Sequence, residues 1–194
     1  MRRGLDLVVH NRTRDKAAEL EKAGARFAAA GQFGNVHAGP REALARCRPL
    51  FDAMGRRAFD AGNEPEAAAA IKLTNNFVLG WAIETMGEAF SLVRKYGVKP
   101  PLLYEVLTEG LFTAPAYKVY GKIIAEEDYD RVGITARLGL KDANLALAAA
   151  GAAGVPLPSA NVWRDRLLGA ISHGDGDRDW AVMAREQARA SGLD

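Results

Sequence analysis

Residues 63–97 read NEPEAAAAIKLTNNFVLGWAIETMGEAFSLVRKYG, and one helix through them sets the class of fold. About 33 residues at the α-helical rise make it roughly 50 Å long. Asn63 is a good N-cap and Pro65 suits the first turn. Glu66 stands three residues past the cap, where its carboxylate reaches back to the cap N–H. Gly97, followed by Pro100 and Pro101, ends the run. Ile71, Val78, Ala82, Met86, Phe90 and Val93 recur at spacings of three, four and seven, which predicts one stripe built for burial. A helix longer than a domain of this size is wide cannot be covered by its own chain. Part of the stripe, with Phe77 and Trp81 beside it, is therefore expected to meet a second copy, making a homodimer through residues 63–96.

The two flanks of this helix differ. On the C-terminal side every segment reads as helical: 100–109 up to Gly110, then 116–125, then about 135–150, rich in Ala and Leu. Gly151, Gly154, Pro156 and Pro158 break that helix, and 159–172 and 177–190 follow as two more. On the N-terminal side short β-like runs alternate with helices. Leu5 to His10 has strand length, 15–23 is amphipathic and ends at Gly24, and 25–28 is a second strand. The pattern recurs with a strand over 34–38, a helix over 40–54 and a strand over 57–60. These are two β-α-β units in miniature, each too short to make a covered sheet alone. The expected fold is mainly α: a helical domain over 63–194, preceded by a small incomplete α/β segment over 1–62.

Composition narrows the function classes. Of 194 residues, 48% are apolar and 26% charged, ordinary for a globular protein with a sizeable core. The net charge of +2, with no dense basic run, argues against nucleic acid as a partner. The single cysteine, Cys47, excludes an internal disulfide and suits a reducing compartment; in an amphipathic helix it reads as a small buried apolar residue. No apolar run approaches bilayer length and the N-terminus lacks a signal-peptide pattern, so a cytoplasmic protein with no membrane partner is expected. His10, His37 and His173 are far apart, without metal-ligand spacing, and no metal site is expected.

Three clusters carry candidate chemistry. Lys72 and Asn76 stand four residues apart on one face of the long helix, with Asn75 adjacent. Taken alone they read as a lysine snorkelling from the stripe edge and carboxamides bonding locally. Asn11, Arg12 and Thr13 lie just past the first strand, where dinucleotide-binding folds read the adenosine ribose and an arginine accommodates a 2′-phosphate. Alone they are a polar turn with Thr13 as N-cap. Lys141 and Asp142 interrupt an apolar helix and alone read as its solvated edge.

Together these clusters are similar in order and spacing to one family. The chain resembles the β-hydroxyacid dehydrogenases, the group of 3-hydroxyisobutyrate dehydrogenases and tartronate and succinic semialdehyde reductases related to 6-phosphogluconate dehydrogenase. The resemblance runs from Cys47 through Arg48-Pro49-Leu50-Phe51-Asp52-Ala53-Met54-Gly55, Lys72-Leu73-Thr74-Asn75-Asn76 and Leu140-Lys141-Asp142 with Leu145-Ala146. It closes with Gly176-Asp177 and Asp179-Trp180, and residues 7–13 are similar to the family's second strand with its NADP-type ending. It implies a helical domain like the C-terminal domain of 6-phosphogluconate dehydrogenase, preceded by a remnant of a Rossmann-type domain. It also implies an NADP-dependent oxidoreductase acting on a small hydroxy acid or semialdehyde. On single residues, it makes Lys72 the general acid or base on the substrate oxygen, with Asn76 holding substrate or lysine. Lys141 would reach the cofactor with Asp142 in support, and Arg12, between Asn11 and Thr13, would read the 2′-phosphate. Lys72 in that role needs a closed, poorly hydrated site to exchange protons near neutrality.

Two departures shape the expectation. The glycine-rich GxGxxG turn that cradles pyrophosphate in relatives has no counterpart, since Gly31 to Gly34 is only a local glycine pair. A second gap falls around 28–35, where the family's substrate-contacting glycine-rich loop is absent, and Glu66 and Ala68 replace residues often glycine in relatives. Activity impaired by truncation is therefore expected. The alternative is an inactive relative serving as a helical dimerisation and interaction module.

Overall fold

The structure, a computed structural model, describes residues 8–11, 26–29, 35–54 and 57–193. The expected helix over 15–23, the start of the first strand at 5–7, the glycine pair at 31–34, and Arg12 and Thr13 lie outside the described residues. The chain divides into two compact units, one ending at Lys72 and one running from Leu73 to Asp194.

In the first unit β1 (Val8–Asn11) pairs in parallel with β2 (Arg26–Ala29), and β3 (Asn35–His37) in parallel with β4 (Ala58–Asp60). Parallel neighbours need a crossover, and α1 (Arg41–Met54) supplies one between β3 and β4. Backbone bonds extend that second pair: Ala61 N–H donates to the His37 carbonyl at 2.8 Å and Gly39 N–H to the Gly62 carbonyl at 2.9 Å. Gly62 sits at φ +95°, a conformation that only glycine adopts without strain. On α1, Phe51 stacks on His37 with ring centroids 4.5 Å apart. Cys47 is half-buried rather than a core residue, because so short a sheet offers it no full cover.

The rest is helical, and the fold is mainly α. The helices are α2 (Pro65–Lys95), α3 (Pro100–Glu109), α4 (Pro115–Glu126), α5 (Ala136–Ala153), α6 (Pro158–Ser172) and α7 (Met183–Ala190). Four of these six open on proline, whose fixed φ suits a first turn and whose missing N–H would have no helical acceptor there. Gly97 at φ +73° follows α2, and Gly154 at φ +68° closes α5 by donating to the carbonyls of Ala150 and Gly151.

The stripe that the spacing suggested is buried only in part within this chain. Met86 and Phe90 are buried, but Ile71 and Val78 are 45% and 58% exposed. The face packed inward runs through Gly80, Ile83, Glu84, Gly87 and Ser91. Its glycines explain the choice: a Cβ at Gly80 would collide with the Trp163 indole, and one at Gly87 would lie 2.9 Å from the Ala184 Cα. Close approach of α6 and α7 selects the small residues over the larger apolar ones. Trp163 and Leu167 of α6, Trp180, and Met183 of α7 complete the core around Ile83 and Phe90.

The C-terminal segment also differs from the continuous helix expected over 177–190. Asp179 caps a 3₁₀ turn over Trp180–Val182, accepting from Ala181 N–H at 2.9 Å, and α7 begins only at Met183. A carboxylate that bonds its own backbone two residues on favours a tight turn over a helical one.

Candidate active site

Lys141 and Asp142 stand on the second turn of α5, and the start of that helix is fixed on several sides. Thr135 is its N-cap, its hydroxyl accepting from Leu138 N–H at 3.2 Å. Ala136 N–H donates to the Arg178 carbonyl at 2.9 Å, Arg137 N–H to the Gly176 carbonyl at 3.1 Å, and Trp180 N–H to the Ile134 carbonyl at 2.8 Å. Asp179, 1% exposed, also accepts from Gly133 N–H at 2.9 Å and Ile134 N–H at 3.4 Å. Burial raises its carboxyl above the ordinary range, while the backbone N–H groups of Ala181, Gly133 and Ile134 pull it back. Next to it, buried Asp175 is ion-paired with Arg178 at 3.0 Å, Arg185 at 3.2 Å and Arg189 at 3.0 Å. The segment that aims α5 is thus held by a dense polar network.

On α5 itself Gly139, Asp142, Ala143, Ala146 and Ala150 form the buried face, at spacings of three and four. Asp142 is 6% exposed, on the same side as the alanines, whereas the Lys141 side chain is 57% exposed. A buried carboxylate needs partners for both oxygens. Asp142 has them: Oδ2 accepts from Asn76 Nδ2 of α2 at 2.7 Å, and Oδ1 is paired with Lys141 Nζ. Asn76 is half-buried, and Asn75 beside it is exposed.

The structure therefore brings Asn76, Lys141 and Asp142 into one contact set. Lys72 lies four residues earlier on α2, with an exposed side chain rather than the enclosed one that proton exchange asks for. Asn11 is the last residue of β1, its Cα paired with that of Ala29. The Asn76–Asp142 bond, which joins residues 66 apart in sequence, is what the sequence reading missed. Only the burial of Asp142 had a signal: it is three residues from Gly139 and four from Ala146, on the small-residue face. Among the described residues no group of His, Cys, Asp and Glu could hold a metal ion.

A family model described as "NAD-binding of NADP-dependent 3-hydroxyisobutyrate dehydrogenase" matches residues 67–186. An uncharacterised oxidoreductase, YfjR, of Bacillus subtilis is 38% identical over 150 residues, covering 77% of this chain and 52% of that protein. The 3-hydroxyisobutyrate dehydrogenase of Pseudomonas aeruginosa is 31% identical over 173 residues, covering 86% of this chain and 53% of that protein. The crystal structure of 3-hydroxyisobutyrate dehydrogenase from Salmonella typhimurium shares the fold, with a TM-score of 0.71 at 20% identity over 88% of this chain and 64% of that one. The chain spans about half the length of the curated relatives it matches. With most of α2 through α7 inside the matched range, the chain belongs to the 3-hydroxyisobutyrate dehydrogenase family of β-hydroxyacid dehydrogenases.

Proposed function

We propose that this chain is an NADP-linked oxidoreductase that interconverts a small hydroxy acid and its semialdehyde. The observation that supports this most is the Asn76–Asp142–Lys141 set, in which Asn76 follows Lys72 by four residues in the sequence of α2. The donor set suits the nicotinamide end of a dinucleotide: an ammonium held by a buried carboxylate offers N–H groups to carboxamide and hydroxyl oxygens. Lys141 would hold that end, and Arg12, flanked by Asn11 and Thr13, the 2′-phosphate. When bound, the nicotinamide would supply or accept hydride at the carbon bearing the substrate oxygen.

Lys72 gives or takes the proton on that oxygen in this reading, and Asn76 holds the substrate beside it. We further read the outward face of α2 as a homodimer surface. Ile71, Val78 and Leu92 are 45%, 58% and 60% exposed and lie at multiples of seven residues, so they share one side of the helix. No helix among the described residues is long and apolar enough to cross a membrane. We place the activity in the cytoplasm, which suits a free Cys47.

The test is nicotinamide absorbance during turnover of a panel of small hydroxy acids and semialdehydes. Lys72→Ala should lower kcat by roughly 10²- to 10⁴-fold while leaving cofactor affinity unchanged. Equal turnover in the variant would remove Lys72 from the mechanism. Folded wild type that neither binds cofactor nor turns over any substrate would instead favour the interaction module.

A further inference from the structure

We infer that Asp179 is a positioning residue for the proposed cofactor site: it ties the loop before α5 to the 3₁₀ turn packed against that helix, and so aims Lys141. The inference deepens the oxidoreductase reading and rests on it for the identity of the ligand. Asp179 is 1% exposed, and the hydrogen bonds it accepts all come from backbone N–H groups. Oδ2 takes Gly133 at 2.9 Å and Ile134 at 3.4 Å, and Oδ1 takes Ala181 at 2.9 Å. The groups that pull its carboxyl back toward the charged form are these N–H groups and no cation. Holding a carboxylate in that way costs desolvation. What it secures is a junction between two segments more than forty positions apart in sequence.

That junction is the bed on which α5 starts. Asp179 N–H donates to the Tyr129 carbonyl at 2.9 Å, and the Trp180 and Ala136 bonds described above cross the same seam. The Trp180 side chain then reaches Gly139, where an added Cβ would stand 3.0 Å from the indole. Residues 178–180 therefore touch α5 at both ends of its first turn, and Lys141 follows two residues later. Lys141 lies about 9 Å past the Thr135 cap, so a tilt of about 10° there displaces it by roughly 1.5 Å. A shift of that size is enough to spoil the geometry of a bound group. The junction also demands a carboxylate. Two N–H groups meet one oxygen and a third meets the other, so both oxygens must accept. Asparagine presents an NH₂ on one side, and whichever way it turns, donors face each other there. Asp179→Asn thus opens half of the junction with almost no change in size.

The experiment is a double-mutant cycle on NADPH affinity, followed by nicotinamide fluorescence in wild type, Asp179→Asn, Lys141→Ala and the double variant. Asp179→Asn should weaken NADPH about tenfold, the value of about one hydrogen bond. In the Lys141→Ala background the same substitution should change affinity by less than about twofold, because the group it aims is gone. The sign matters as well, since removing a negative charge would by Coulomb attraction alone tighten an anionic cofactor. A general loss of packing would weaken NADPH by the same factor in both backgrounds. Unchanged or tighter binding in Asp179→Asn, or equal losses in the two backgrounds, overturns the inference. If Asp179→Asn does not fold, amide exchange in wild type decides. Coupling is reciprocal, so NADPH should slow exchange of the Gly133 and Ala181 N–H groups by about threefold or more, and exchange that ignores NADPH contradicts the coupling. Wild type that binds no NADPH removes the oxidoreductase reading. The ¹⁵N–¹H signals of Lys141 and Asp142 then carry the assignment: they move in Asp179→Asn if the junction aims α5, and stay in place if it does not.

Discussion

Glu84 shows how much a single residue can differ from its helix neighbours. It is 1% exposed on α2; Oε1 takes Arg166 Nε at 3.4 Å, and Oε2 has no hydrogen-bond partner among the described residues. Burial, with Glu88 nearby, raises its carboxyl above the ordinary 4.5, and Arg166 only partly offsets this. The unfolded chain therefore releases this proton at a lower pH than the folded chain does. Folded stability from this group falls as pH rises from about 4.5 through the raised native value. Glu84→Gln removes the ionisation, so its Tm should gain on that of wild type as pH rises from about 5 to 8, by thermal unfolding. A constant Tm difference across that range would mean that Arg166 fully compensates the charge. Nothing in the residue order around Glu84 announces its burial, since α6 supplies the cover from some eighty positions away. The same holds for Asp142. Its place on the small-residue face was legible, but its partner Asn76 was not, because only tertiary packing joins α5 to α2.

Among the helices and turns the sequence was more informative. Proline at the start and glycine past the end located α2 and α3 to within a few residues, because both act through local backbone sterics. Met86 and Phe90 of the inward side of α2 were legible, but Gly80 and Gly87 were not, since glycine is silent in hydrophobic periodicity while deciding how closely helices approach. Of two alanine substitutions that test this, only the one at the close approach should destabilise. Gly87→Ala gains up to ~1 kcal/mol of helix propensity but presses a methyl on the Ala184 backbone, and overpacking of that kind costs ~1–3 kcal/mol or more. A net loss of stability is expected in chemical denaturation. Gly151→Ala has nothing within 4 Å of the added Cβ and should be neutral or stabilising by up to ~1 kcal/mol. Stabilisation by Gly87→Ala would mean that α2 and α7 are less tightly packed than described. The 3₁₀ turn at Trp180 was missed for a related reason: a side chain, Asp179, redirects the backbone there against the local helical pattern.

For the whole molecule, the helical unit has a core built on Trp163, Trp180 and Phe90, while the short parallel pairs of the first unit have edges without further strands among the described residues. Val78 and Leu92, outward on α2, are the part of the second unit that the proposed homodimer would cover. Val78→Asp with Leu92→Asp should shift the chain from dimer to monomer in sedimentation without lowering helix content. Unchanged association would place any dimer surface elsewhere. Family membership rests on the matched residues 67–186, whereas cofactor use by this chain is a proposal that one titration addresses directly. NADPH is added to the purified chain while nicotinamide fluorescence is followed, with Lys141→Ala as the control. Saturable binding in the micromolar range is expected, weakening at least tenfold in the variant through the loss of about one charge-assisted hydrogen bond. Folded protein that binds no NADPH at millimolar concentration, or that binds equally well without the Lys141 ammonium, would contradict the assignment.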